Sequence, residues 1–111
     1  MITAIKDDGF RKAMALFGDA RRARAAVQGR IDAVQRELQG VEAELGAARE
    51  DLRNEEARIA TSGSRLPNEA SPIEGRIALL ERHQRILGVR RENIERTELA
   101  PAEEQVRIAA A

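Results

Sequence analysis

From Phe10 to Ile59 the chain places apolar residues at alternating steps of three and four. The positions are Phe10, Ala13, Phe17, Ala20, Arg24, Val27, Ile31, Val34, Leu38, Val41, Leu45, Ala48, Leu52, Glu55 and Ile59; only Arg24 and Glu55 are not apolar. A 3.5-residue period kept over about seven heptads holds one apolar stripe on the same side of a long α-helix. Such a stripe is stable only against another helix, so the repeat predicts an all-α, elongated antiparallel helical hairpin with coiled-coil-like packing. It states an architecture and no chemistry.

The remaining composition narrows the function classes. At 111 residues the chain is a single unit, and a hairpin of this size has a narrow seam in place of a thick globular core. Its 19 basic and 19 acidic side chains leave zero net charge, so it lacks the long-range attraction to phosphate that nucleic-acid binders use. The absence of cysteine excludes disulfides, zinc–thiolate sites and thiol catalysis. No apolar run approaches a membrane span, and no basic-then-apolar leader opens the chain. The expected location is therefore the cytoplasm or an intracellularly assembled particle.

Local signals divide the chain into a helix over about 8–61, a loop over about 62–71, a helix over about 72–98 and a short helix over about 101–110. Asp7 and Asp8 offer an N-cap carboxylate for the first helix, after an apolar lead carrying Ile2 and Ile5. Gly18 is a candidate break that would detach residues 8–17. Gly29, Gly40 and Gly46 lie off the seam and read as tolerated surface glycines; the row Ala26, Ala33, Gly40, Ala47 would also let a further helix approach closely. Gly63 suits a left-handed C-terminal cap, and Pro67 bars helix continuation. Ser71-Pro72-Ile73-Glu74 combines an N-cap, a proline at the first helical position and a capping box. Pro101 is expected to end the second helix and open the third.

The second helix carries its own seam: Ile73, Ile77, Leu80, Gln84, Leu87, Arg91 and Ile94. Folding the chain back near Leu66 or Pro67 predicts that Ile59 meets Ile73, Leu52 meets Leu80, Leu45 meets Leu87 and Leu38 meets Ile94. Val34 and Val41 complete the first helix's share of this hairpin seam. Leu79 and Ile86 lie beside the second seam and widen its apolar arc, a secondary packing face for a further helix. Helical spacing further predicts ion pairs Asp32–Arg36, Glu50–Arg53, Glu81–Arg85 and Glu92–Arg96. Arg24, alone among the arginines, falls on the seam, where it would snorkel or pair with a carboxylate.

Lengths decide the functional expectation. At about 1.5 Å per residue the first helix is roughly twice as long as the second. The second helix reaches back to about Val34, and a third segment to Val27 or Arg24. Phe10, Ala13, Met14, Leu16 and Phe17 remain uncovered and form the candidate partner-docking face. No phosphate loop, dinucleotide fingerprint or nucleophile–histidine set is present. His83 is the only histidine and lacks the Glu-x-x-His spacing of a carboxylate-bridged metal site. The chain is therefore expected to be non-enzymatic, without catalytic, metal or cofactor-binding residues. The expected role is a structural one: a homo-oligomer or a subunit bridging a larger assembly, such as a bacterial or phage particle or a secretion machine. A helical adaptor or chaperone gripping a partner helix is the alternative. A nucleic-acid binder using Arg21, Arg22, Arg24 and Arg30 is the weaker one, because that face is interrupted by Asp19 and Asp32 and lacks aromatics for base stacking.

Overall fold

The computed structural model describes residues 2–63 and 65–111, with side chains from Asp8 onward. The fold is an all-α helical hairpin built from α1 (Ile2–Ser62), α2 (Pro72–Ile94), a π-helical turn (Glu95–Leu99) and α3 (Ala100–Ala110). It divides into two compact units. One is residues 35–89; the other combines the chain up to Val34 with Arg90–Ala111.

The helix α1 follows the repeat closely. Val27, Ile31, Val34, Leu38, Leu45 and Ala48 are buried, and Phe17, Ala20, Val41, Leu52, Glu55 and Ile59 are half-buried. Two expectations fail along it. The helix begins at Ile2 and not at Asp8. Asp8 lies inside the helix and pairs with Lys12 one turn on, at 3.5 Å, so its carboxylate supports the helix flank instead of capping an end. The expected cap side chain of Asp7, and those of Ile2 and Ile5, lie outside the described residues. Gly18 does not break the helix, which continues through it without interruption. A Cβ there would meet only the Arg22 guanidinium, so no packing constraint turns its low helix propensity into a break. A Cβ at Gly29, Gly40 or Gly46 would meet nothing within 4 Å, so no helix approaches closely there. Arg24 is exposed, and no carboxylate pairs with it among the described residues.

In the unit of residues 35–89, α1 turns at Gly63, whose φ of 68° is the left-handed cap that glycine adopts without strain. Pro67, Glu69, Ala70, Ser71 and Pro72 line a groove with Leu52, Glu55, Glu56 and Ile59 of α1. The loop therefore runs back alongside α1 before α2 begins. This shifts the register by about one turn from expectation. Leu80 packs with Leu45 and Ala48 in the core, flanked by Val41 and Ile77, and does not face Leu52. Leu45 correspondingly does not face Leu87. The reversal lies at Gly63, not at Leu66 or Pro67, and extended loop residues consume more length than helical ones.

The start of α2 explains the acid in the α1 seam. Ser71 Oγ accepts the N–H of Ile73 at 3.1 Å, and Ser71 O accepts the N–H of Glu74 at 3.0 Å. The Ser71 hydroxyl donates in turn to Glu55 Oε2 at 2.8 Å. Ser71 is thus the N-cap, as its sequence predicts. The carboxylate that supports it comes from Glu55 across the hairpin, and Glu74 closes no capping box among the described hydrogen bonds.

In the other unit Pro101 lies in the first turn of α3, as expected, but the helical run does not stop before it: α2 passes through the π-helical turn directly into α3. A proline inside a helix lacks an N–H and crowds the carbonyl four residues back. Here the ladder slips one residue just before it: the N–H of Ala100 bonds Glu95 O in the wider π pattern. The slip inserts one residue into the seam. Continued at heptad spacing, the seam would pass through Pro101, Gln105 and Ile108. The half-buried residues are instead Ala102, Val106 and Ala109, with Pro101 and Gln105 exposed and Ile108 58% exposed. Arg30 Nη2 on α1 meets Glu98 Oε1 at 2.5 Å across this pair of helices. Both groups keep substantial contact with water, which limits the pair to well under 1 kcal/mol or so.

Of the predicted helical ion pairs only Glu50–Arg53 forms, at 2.6 Å. Asp32 accepts from Gln28, Glu81 pairs with Arg49 across the hairpin at 3.7 Å, and Arg96 donates to Asn93. In each case another partner on the same helix, or one across the hairpin, takes the group that spacing alone assigns elsewhere.

Candidate docking face

The apolar residues at the start of α1 differ from every later turn of the same repeat. Phe10 is 67% exposed, Met14 54% and Leu16 66%; Ala13 is exposed and Phe17 half-buried. The helix positions them because Phe10, Ala13, Met14 and Phe17 recur at steps of three and four and so share one side. Leu16 flanks that side on its other edge.

The third helical segment reaches further along α1 than expected. Ala109 and Ala110 line an open groove of about 270 Å³ with Phe10, Ala13, Met14 and Phe17. The expected limit at Val27 or Arg24 is therefore corrected to Phe17, because the chain stays helical through Pro101. Coverage stops short of complete because alanines supply it. They are too small to enclose a phenylalanine, so the groove remains open beside Phe17.

The arginine cluster beyond this face is largely committed within the chain. The Arg21 guanidinium lies over the Phe17 ring, 5.6 Å from its centroid, an attraction between a cation and an aromatic face. This aromatic neighbour, one helical turn back, was not expected. Arg22 donates to Asp19, and Arg30 is held by Glu98. Arg21 and Arg24 line a shallow depression of about 210 Å³ with Ala25 and Gln28.

Two further surfaces carry apolar residues. On α2, Leu79, Ile86 and Val89 are exposed, and His83 is exposed between the first two. At the hairpin tip, Leu66 and Pro67 border a groove over Ile59 and Ala60, rimmed by Glu56 and Glu74. Sequence reasoning missed Val89, Leu66 and the pair Ala109 and Ala110. The last pair was readable only by carrying the seam through Pro101 with one residue inserted. Among the described residues no cluster of three or more His, Cys, Asp or Glu is placed to hold a metal ion. None of the described helices is long and apolar enough to cross a membrane.

No family model, curated protein or solved structure matches the chain. The class that the fold defines is an all-α helical hairpin.

Proposed function

We propose that the protein is a non-enzymatic association module whose Phe10–Phe17 end docks on protein, oligomerising the chain or bridging components of a larger assembly. The observation that carries this reading is the exposure of Phe10, Met14 and Leu16 on a helix whose later apolar seam positions are buried or half-buried. Each large apolar side chain left in water forfeits ~1.5–3 kcal/mol relative to burial. Phenylalanine offers rigid contact area and methionine adapts to its neighbour, a combination suited to protein contact.

Replacing Phe10 and Met14 together by serine tests the reading. Both side chains are more exposed than buried, so the double variant keeps the helicity and melting temperature of the wild type. Its association, followed by sedimentation velocity across a concentration series, is lost. A melting temperature lowered by several degrees with unchanged mass overturns the reading, because the face then serves its own chain.

A further inference from the structure

We infer that copies of this chain stack side by side, the outer face of α2 on one copy lying against the outer face of α1 on the next, with Leu79 and Ile86 seated on Ala47 and Gly40. This contact is separate from the Phe10–Phe17 end and does not rest on the docking reading above.

The two faces are open and complementary in shape. Leu79 and Ile86 are 52% and 46% exposed, on a row of α2 turned away from the buried Leu80 and Leu87. On α1, Gly40 and Ala47 recur at the same seven-residue step, both exposed. A Cβ at Gly40 would meet nothing within 4 Å, so nothing in the single chain covers that face. One face carries two large apolar side chains and the other two shallow places to receive them. Their levels agree without sliding. Within the hairpin Leu80 packs on Leu45 and Ala48, and Ser71 bonds Glu55. A copy set beside the first, pointing the same way and at the same height, keeps those levels. Leu79 then lies against Ala47 and Ile86 against Gly40.

Charge selects the same arrangement. Beside Leu79 and Ile86 run Arg76, His83 and Arg90, seven residues apart; beside Gly40 and Ala47 run Glu37, Glu44 and Asp51, again seven apart. All six are exposed, and none has an ion-pair or side-chain hydrogen-bond partner among the described residues. At the level set above, Arg76 meets Asp51, His83 meets Glu44 and Arg90 meets Glu37. All but Arg90, the next residue along α2, belong to the unit of residues 35–89. Helix handedness fixes the orientation. With α2 antiparallel to the α1 of the next copy, the basic and acidic rows fall on the same edge of the contact. Turning that copy end for end sends the rows to opposite edges. A two-fold pair of α2 helices would set the basic row against itself, and a two-fold pair of α1 helices the acidic row against itself. Only the unlike faces match, which excludes the symmetric alternatives by repulsion. Each copy keeps one face free after the first contact, so association continues past two.

The charged rows are exposed, so salt weakens this contact, whereas apolar docking at the Phe10–Phe17 end withstands salt. At low salt the wild type is expected to sediment as a concentration-dependent series beyond the dimer, and the Phe10→Ser, Met14→Ser variant to retain that series. At high salt only association through the Phe10–Phe17 end remains, so either reading can fail alone. Arg76→Glu with Arg90→Glu, and separately Glu37→Arg with Asp51→Arg, should each abolish the low-salt series at an unchanged melting temperature. Mixing the two variants restores it, because each supplies the face that the other has reversed. Persistent association of the Glu37→Arg, Asp51→Arg variant alone overturns the inference, since α1 then takes no part. The chain has no cysteine, which makes the register directly readable. Ala47→Cys and Leu79→Cys, prepared as separate full-length variants, mixed and oxidised mildly, are expected to give the mixed disulfide in excess of either self-linked product. Predominant self-linkage of Leu79→Cys overturns the inference in favour of an α2–α2 pair. A wild type that stays monomeric at low salt overturns it as well, whether or not vesicles of anionic lipid then bind the same arginines.

Discussion

The two units use one uninterrupted helix and the same seam repeat, yet they close it differently. In residues 35–89 the seam is sealed: Leu45 is 1% exposed and packs with Ala48 and Leu80. In the other unit the seam is buried from Val27 to Val34 and opens progressively through Ala20 and Phe17 to Phe10. The difference lies in the opposing strand of helix. The helix α2 offers Ile77, Leu80 and Leu87, whereas α3 offers Ala102, Val106 and Ala109. A heptad repeat therefore marks where a helix wants cover, and the size of the facing side chains decides whether it receives it.

The sharpest way to break this comparison is to empty the sealed seam. Leu45→Ala should destabilise the protein by ~2–5 kcal/mol, as loss of a buried leucine does, measured by denaturant unfolding. Leu80→Ala should be non-additive with it, because contacting residues couple. Additive losses would contradict the packing of Leu80 on Leu45. Phe10→Ala should stay within about 0.5 kcal/mol of wild type under dilute conditions, as surface changes do.

A smaller effect tests the frame of the open unit. Val106 is half-buried and Ile108 mostly exposed. Val106→Ser should cost roughly 1–1.5 kcal/mol, part of the transfer energy of its side chain, and Ile108→Ser should cost little. The reverse order in thermal melts would mean that the seam runs through Pro101 without the inserted residue.

The smallest effect concerns the cap that begins α2. Ser71→Ala should cost ~1 kcal/mol, typical of a lost N-cap, and Glu55→Ala a comparable or smaller amount. The pair should be less than additive, since each change removes the same hydrogen bond. Strict additivity would separate Glu55 from the cap. Ser62→Ala is a weaker comparison, because that exposed hydroxyl donates to Ile59 O within the last turn of α1.

These variants also mark how far the residues could be read in advance. The seam of α1, the Gly63 turn and the Ser71 cap follow from local rules: a 3.5-residue period, a left-handed glycine, and a hydroxyl before a proline. Each depends on residues a few positions apart, so the sequence contains the whole interaction. Exposure of Phe10, Met14 and Leu16 was legible too, from the apolar stripe outrunning the cover available to it.

What only the tertiary structure decided involves distant residues or competing local rules. The register between Leu80 and Leu45 depends on how much chain the loop consumes while running back along Glu55, Glu56 and Ile59, and spacing within each helix is silent on that length. The acid at position 55 violated the seam until a hydroxyl sixteen residues on was brought beside it. At Pro101 a missing N–H predicted a break, but one widened turn absorbed it, because Val106 and Ala109 beyond it still had α1 to cover. By itself the amino-acid sequence determined which faces are apolar, where α1 turns at Gly63 and where Ser71 caps α2, since those terms act over a few residues. The pairing of faces was left to the folded chain, since burial rewards whichever register encloses the most surface, and that is known only when both helices are in place.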